Sequence, residues 1–179
     1  MAHLLSSSCA ILLLVLLASA AWSDVRDRRV PNLVVAATVV LWLVQTPLSG
    51  MGDAVAALGV GLGLLALGIV VWRLGWLGAG DAKLIAALGL WAGTSQALEF
   101  LLVTSVAGGA LAFGQMLARR LLANPFLVFA RHWLMAWTPA SHLFAAAPRP
   151  ASSAQTVSLP YAVAIAAGGG WLALGRLAI

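Results

Sequence analysis

Apolar stretches long enough to cross a lipid bilayer recur along this chain, at about residues 4–21, 32–46, 54–72, 82–98, 100–118 and 157–178. The hydrocarbon core is about 30 Å thick, and a helix rising about 1.5 Å per residue needs about 20 apolar residues to traverse it. Backbone amides and carbonyls inside lipid find no water, so a run of this length satisfies them as a helix. Composition agrees: 63% of the 179 residues are hydrophobic and 8% are charged, against about 25% charged in soluble domains. A water-soluble surface cannot be assembled from that. The reading is an all-α polytopic membrane protein with about six transmembrane helices, forming a single membrane-embedded domain over residues 1–179. The fourth stretch is the weakest, because its clean segment, Leu84 to Gly93, must continue through Thr94, Ser95 and Gln96 to cross.

The formal net charge of +5 would suggest nucleic acid as the partner of a soluble chain, but here the basic residues punctuate the apolar runs. Arg26, Arg28 and Arg29 follow the first run, Arg73 and Lys83 separate the third from the fourth, and Arg119, Arg120, Arg131 and Arg149 lie between the fifth and sixth. Only Arg176 falls on the other side, so the positive-inside rule places both termini outside and the three basic loops in the cytoplasm. The partners implied are the bilayer and no nucleic acid. The first run ends in Ala18-Ser19-Ala20, which resembles a signal-peptidase site, yet no lysine or arginine precedes it, so it reads as a retained helix.

Within the loop 119–156, residues 126–137 are bounded by Pro125 and Pro139 and interrupted by Arg131 and His132. That suits an interfacial helix with Trp133 and Trp137 at headgroup depth; residues 148–153 read as a linker. Gly59 and Gly63, at small-xxx-small spacing, and Gly108-Gly109 read as packing positions. Cys9 reads as a small hydrophobe. A lone cysteine excludes an internal disulfide and a four-cysteine zinc site, and His3, His132 and His142 show no ligand spacing. No metal and no cofactor are expected.

The chemistry rests on five acids: Asp24, Asp27, Asp53, Asp81 and Glu99. A carboxylate near hydrocarbon is costly unless it is paired or used. Asp53 in a short outer loop reads as an N-cap, and Glu99 as a helix-end residue. Asp81 closes Gly78-Ala79-Gly80-Asp81 just before a helix, where it suits an N-cap; the two glycines permit unusual backbone angles and leave room for another strand to approach. Asp24 and Asp27 alternate with arginines, which alone reads as a solvated ion-pair cluster. Topology nevertheless puts Asp24 and Asp81 on one membrane face. Two carboxylates that share a site cannot both ionise cheaply, so one holds a proton while the other serves as base.

At these residues the chain resembles the type IV prepilin leader peptidases, in particular their short Flp/Tad-pilus type. The resemblance lies in an Asp-x-Arg-x-x-x-Ile/Val-Pro-Asn segment, here Asp24 to Asn32, and a Gly-x-Gly-Asp-x-Lys segment, here Gly78 to Lys83. A third stretch, Leu159 to Ala166 with Pro160 and Tyr161, is similar to the start of the family's last helix. The resemblance implies catalytic aspartates at Asp24 and Asp81, with Asp27 at a variable position. It places Gly78, Gly80, Lys83, Arg26, Pro31 and Asn32 as substrate-binding or site-shaping residues. It implies a prepilin substrate cut at the cytoplasmic face of a bacterial inner membrane. Longer members carry paired cysteines and methyltransferase activity, so this chain would be a peptidase only. The rival class is a non-enzymatic small transporter or pilus assembly factor that uses its acids to bind a cation or a partner's arginines.

Overall fold

The computed structural model describes residues 2–48, 51–122 and 161–177. Every regular element among them is helical: α1 (Ala2–Asp27), α2 (Asn32–Gln45), a 3-10 turn (Thr46–Leu48), α3 (Met51–Arg73), α4 (Ala79–Leu122) and α5 (Tyr161–Leu177). The chain divides into two compact units, Met1–Gly109 with Pro160–Ile179, and Ala110–Leu159. Of the second unit, the described part is the end of α4, carrying Arg119 and Arg120 in its last turn, so helix replaces the first residues of the expected 119–156 loop. The expected interfacial helix 126–137 and linker 148–153 lie outside the described residues.

Three described helices are long and apolar enough to cross a membrane, over Leu5–Asp27, Gly52–Arg73 and Ala79–Leu121, while Asn32–Gln45 and Tyr161–Leu177 are shorter apolar helices. In the first unit large apolar side chains face outward, among them Leu12, Val40, Leu62, Leu98 and Val106. Much of the interior is small: Ala10, Ala20, Ala82, Ala87, Ala92, Ala162, Ala164 and Ala173 are buried. A protein in water cannot carry so much exposed hydrocarbon, whereas helices in lipid associate through small residues and close backbone contact. These helices therefore make a membrane protein.

One element departs from the sequence reading. The fourth and fifth runs are expected to part near residue 99, but helix continues from Ala79 to Leu122 with a single break at Gly93, whose φ of 56° and ψ of −164° are non-helical. The contacts show that the chain reverses there. Before the break, Leu88 meets α5 at Gly169 and Trp91 meets it at Arg176; after it, Thr104 meets Gly168 and Gly108 meets Ala164. Residues 79–92 thus run with α5, and the stretch from Gln96 to Gly108 runs back against it. Only glycine adopts a positive φ of this kind without strain. Thr94, Ser95 and Gln96, through which the fourth span was expected to extend, and Glu99, expected at a helix end, form the opening turns of the return arm.

The glycine packing also differs from expectation. The buried stripe of α3 is Ala54, Ala57, Gly61 and Gly68 at helical spacing. A Cβ on Gly61 would strike the Leu90 side chain, one on Gly89 would lie 2.7 Å from Leu64 Cδ1, and one on Gly68 would lie 3.0 Å from Ala82 Cβ. Among the described residues, a Cβ on Gly59, Gly63 or Gly109 would meet nothing within 4 Å, and of the four glycines expected to be packing positions Gly108 alone has a neighbour there, Ala164. Gly59 and Gly63 lie off the stripe, so their spacing to one another is irrelevant to this contact.

Alpha1 is part of the core, with Cys9, Ala10, Leu13, Leu17 and Ala20 buried along one face. Trp91, 1% exposed, ties three helices together. Its indole Nε1 donates to the Thr38 carbonyl of α2 at 3.0 Å, and its ring lies 4.9 Å from the Arg176 guanidinium of α5. Arg176 also donates to the Trp91 carbonyl. Trp91→Phe keeps the ring under Arg176 but loses the indole donor and leaves a void. A loss of about 1–3 kcal/mol is expected in a detergent unfolding titration, whereas Trp76→Phe at an exposed position stays within about 0.5 kcal/mol.

Candidate active site

Each acid is delivered by a helix terminus. Alpha1 ends in an αL cap: Arg28, with φ of 54°, donates its amide to the Asp24 carbonyl at 3.0 Å, and the Ser23 hydroxyl donates to the Arg29 carbonyl at 2.8 Å. This turns the chain sharply into Pro31, the N-cap of α2. The Pro31 carbonyl accepts the amides of Val34 and Val35, so Pro31 and Asn32 start a helix. Alpha3 ends in a Schellman motif, with the Gly75 amide on the Trp72 carbonyl and the Trp76 amide on the Val71 carbonyl. Gly75, φ 77°, is the left-handed residue it requires. Three residues later Gly78 caps α4, its carbonyl accepting the Ala82 amide at 3.0 Å.

Asp81 is consequently the third residue of α4, one turn inside the N-cap position that its sequence context suggests. Its carboxylate accepts the Gly78 amide, which is the reach-back half of a capping box. The other oxygen, Oδ1, is buried and has no hydrogen-bond partner among the described residues. Asp24, in the last turn of α1, sends Oδ2 to the backbone amide of Ala162 at 3.0 Å, at the positive end of α5. The two acids are 6% and 8% exposed, and Asp24 is close enough for its charge to act on Asp81.

The flanking motif residues meet as well. A Cβ on Gly80 would lie 3.1 Å from Val30 Cβ, and Lys83 Nζ donates to Asn32 Oδ1 at 3.2 Å. The two motifs thus pack against each other at two points besides the acids. Gly78 and Gly80 do so without positive φ, contrary to the unusual-angle reading; they are glycines for space. At Gly78 a Cβ would sit 2.7 Å from Asp81 Oδ2. Arg26 and Asp27 are exposed on the last turn of α1. Asp53 lies in the first turn of α3, two residues past its start, so it is not the cap expected of it.

Two contributors escaped the sequence reading. The Ala162 amide is a backbone group with no signature beyond the Pro160-Tyr161 start of the last helix. Arg176 counts there only as the one basic residue on its side, yet it reaches into the bundle to Trp91.

Two buried, interacting carboxylates thus stand at the joined ends of apolar helices in a membrane protein. The match to the type IV leader peptidase family extends over residues 11–113, more than half of the chain and including both acids, and the chain belongs to that family. No curated protein and no solved structure matches it.

Proposed function

We propose that this protein is an aspartyl endopeptidase of the bacterial inner membrane that cleaves the leader from Flp/Tad-type prepilins at the cytoplasmic face, without methylating the product. The observation that carries this reading is the convergence of Asp24 and Asp81, both buried, from two separate motifs onto one end of the helical unit in a chain of the leader peptidase family. The ionised carboxylate takes a proton from a water, which attacks the scissile carbonyl while the other, protonated carboxyl donates to the carbonyl oxygen. The tetrahedral intermediate then collapses, the C–N bond breaking as the first carboxyl passes its proton to the leaving amine and the second recovers its own from the re-forming carbonyl. The unpaired Oδ1 of Asp81 is the atom free to take part. Asp24 is held by the Ala162 amide, and Lys83, Asn32, Pro31, Gly78 and Gly80 fix the surrounding backbone, with Arg26 facing outward toward a leader. The remaining spans complete a six-helix topology with the dyad on the basic, cytoplasmic side.

The test is co-expression with a small prepilin, followed by gel mobility and intact mass. A shorter product without the added mass of a methyl group supports the reading. Persistence of uncut precursor beside well-expressed, folded enzyme turns it toward a transporter or assembly factor.

A further inference from the structure

The reversal at Gly93 creates a second polar place in the unit, at the end opposite the two aspartates. The end of α2, the start of α3, the break in α4 and the end of α5 enclose a cavity of about 190 Å³ whose polar lining includes Gln45, Asp53, Thr94, Ser95 and Arg176. A break in a helix strands backbone groups that need partners, and a polar cavity can supply them. One such group, the Trp91 carbonyl, takes Arg176. Gln45 supplies an independent sign of a ligand. The residue is 8% exposed, it lines the cavity, and its buried Oε1 has no hydrogen-bond partner among the described residues.

The polar groups divide by charge. The break in α4 and the end of α5 contribute a guanidinium, two hydroxyls and the opening turn of a helix, all suited to an anion. The end of α2 and the start of α3 contribute the Gln45 oxygen and the Asp53 carboxylate, suited to a cation with N–H donors. An anion alone would face Asp53, and a cation alone would face Arg176. We propose that this cavity seats the headgroup of a zwitterionic phospholipid with a primary amine, its phosphodiester on Arg176 and the Thr94–Ser95 turn, its ammonium on Gln45 and Asp53. A quaternary ammonium has no N–H for Gln45 Oε1, so choline headgroups fit less well. The position at helix ends puts the site at headgroup depth. Only the choice of leaflet rests on the cytoplasmic placement of the dyad.

The full chain is purified in detergent, and bound lipid is read by native mass spectrometry after exchange against equal amounts of phosphatidylethanolamine, phosphatidylcholine and phosphatidylglycerol. Phosphatidylethanolamine is expected to be retained about tenfold over each of the others, the effect of one charge-assisted hydrogen bond. Asp53→Asn, at an exposed position, is expected to remove the preference over phosphatidylglycerol while leaving the fold intact. Gln45→Leu should lower retention of the amine lipid toward that of phosphatidylcholine. Equal retention of the three lipids, or an unchanged preference in folded Asp53→Asn, overturns the proposal. Displacement by soluble glycerophosphoethanolamine at the concentration where lipid saturates overturns the lipid source in favour of a free phosphodiester. None of these readouts uses prepilin, so the lipid site and the peptidase reading fail separately.

Discussion

Asp24→Asn and Asp81→Asn are each expected to abolish prepilin processing, lowering the rate by about 10²–10⁴-fold, the range over which a positioned acid or base contributes. Asparagine has the shape of aspartate but neither accepts nor delivers the proton that the reaction moves. The fold should survive both changes. At position 24 an amide oxygen still accepts the Ala162 N–H that Asp24 Oδ2 takes at 3.0 Å, and at position 81 it still accepts the Gly78 amide. Asp27→Asn and Glu99→Gln, both exposed, should retain most activity. The measurement is the ratio of mature to precursor pilin in membranes with matched enzyme levels, together with unfolding midpoints for each variant. Well-expressed Asp24→Asn or Asp81→Asn protein that still processes pilin would remove the dyad assignment.

How much of this was visible in the sequence depends on whether a feature resides in side-chain pattern or in backbone geometry. The apolar runs and the acid-bearing motifs are side-chain patterns, and the structure brings the motifs together through Gly80 and Val30 and through Lys83 and Asn32. The reversal at Gly93 was not visible because a hydropathy window averages over about 19 residues and sees Thr94 to Glu99 as a polar dip. A single dihedral pair makes the turn. Which glycines pack was equally hidden. Gly59, Gly61 and Gly63 share one helix, and only the partner helix decides that Gly61 faces Leu90 while the other two face outward. The Ala162 amide and the unpaired atoms of Gln45 and Asp81 are consequences of how the elements dock. They become readable only once the helices are in place.

Gly78→Ala is expected to impair catalysis far more than folding although it changes no charged residue. An added Cβ would lie 2.7 Å from Asp81 Oδ2 and 3.5 Å from its Cγ, closer than carbon and oxygen can approach, so the carboxylate must swing away or α4 must shift. Either moves the acid by a fraction of an ångström to an ångström, and a displacement of that order costs roughly 10²-fold in rate. The stability cost is smaller, because alanine is only a poorer N-cap than glycine, a change of about 1 kcal/mol or less. Gly80→Ala meets Val30 Cβ at 3.1 Å, a contact that a few tenths of an ångström relieve, so its rate should fall by less than that of Gly78→Ala. Gly75→Ala gives the opposite pattern. Nothing lies within 4 Å of its Cβ, but its φ of 77° is strained for alanine, so stability drops by about 1 kcal/mol while the folded fraction cleaves normally. Processing rates and unfolding midpoints for the three variants, measured together, decide the point. If Gly78→Ala cleaves at the unmodified rate, the glycine is not there to seat the Asp81 carboxylate, and the close packing of that acid against the α4 cap has no part in the chemistry.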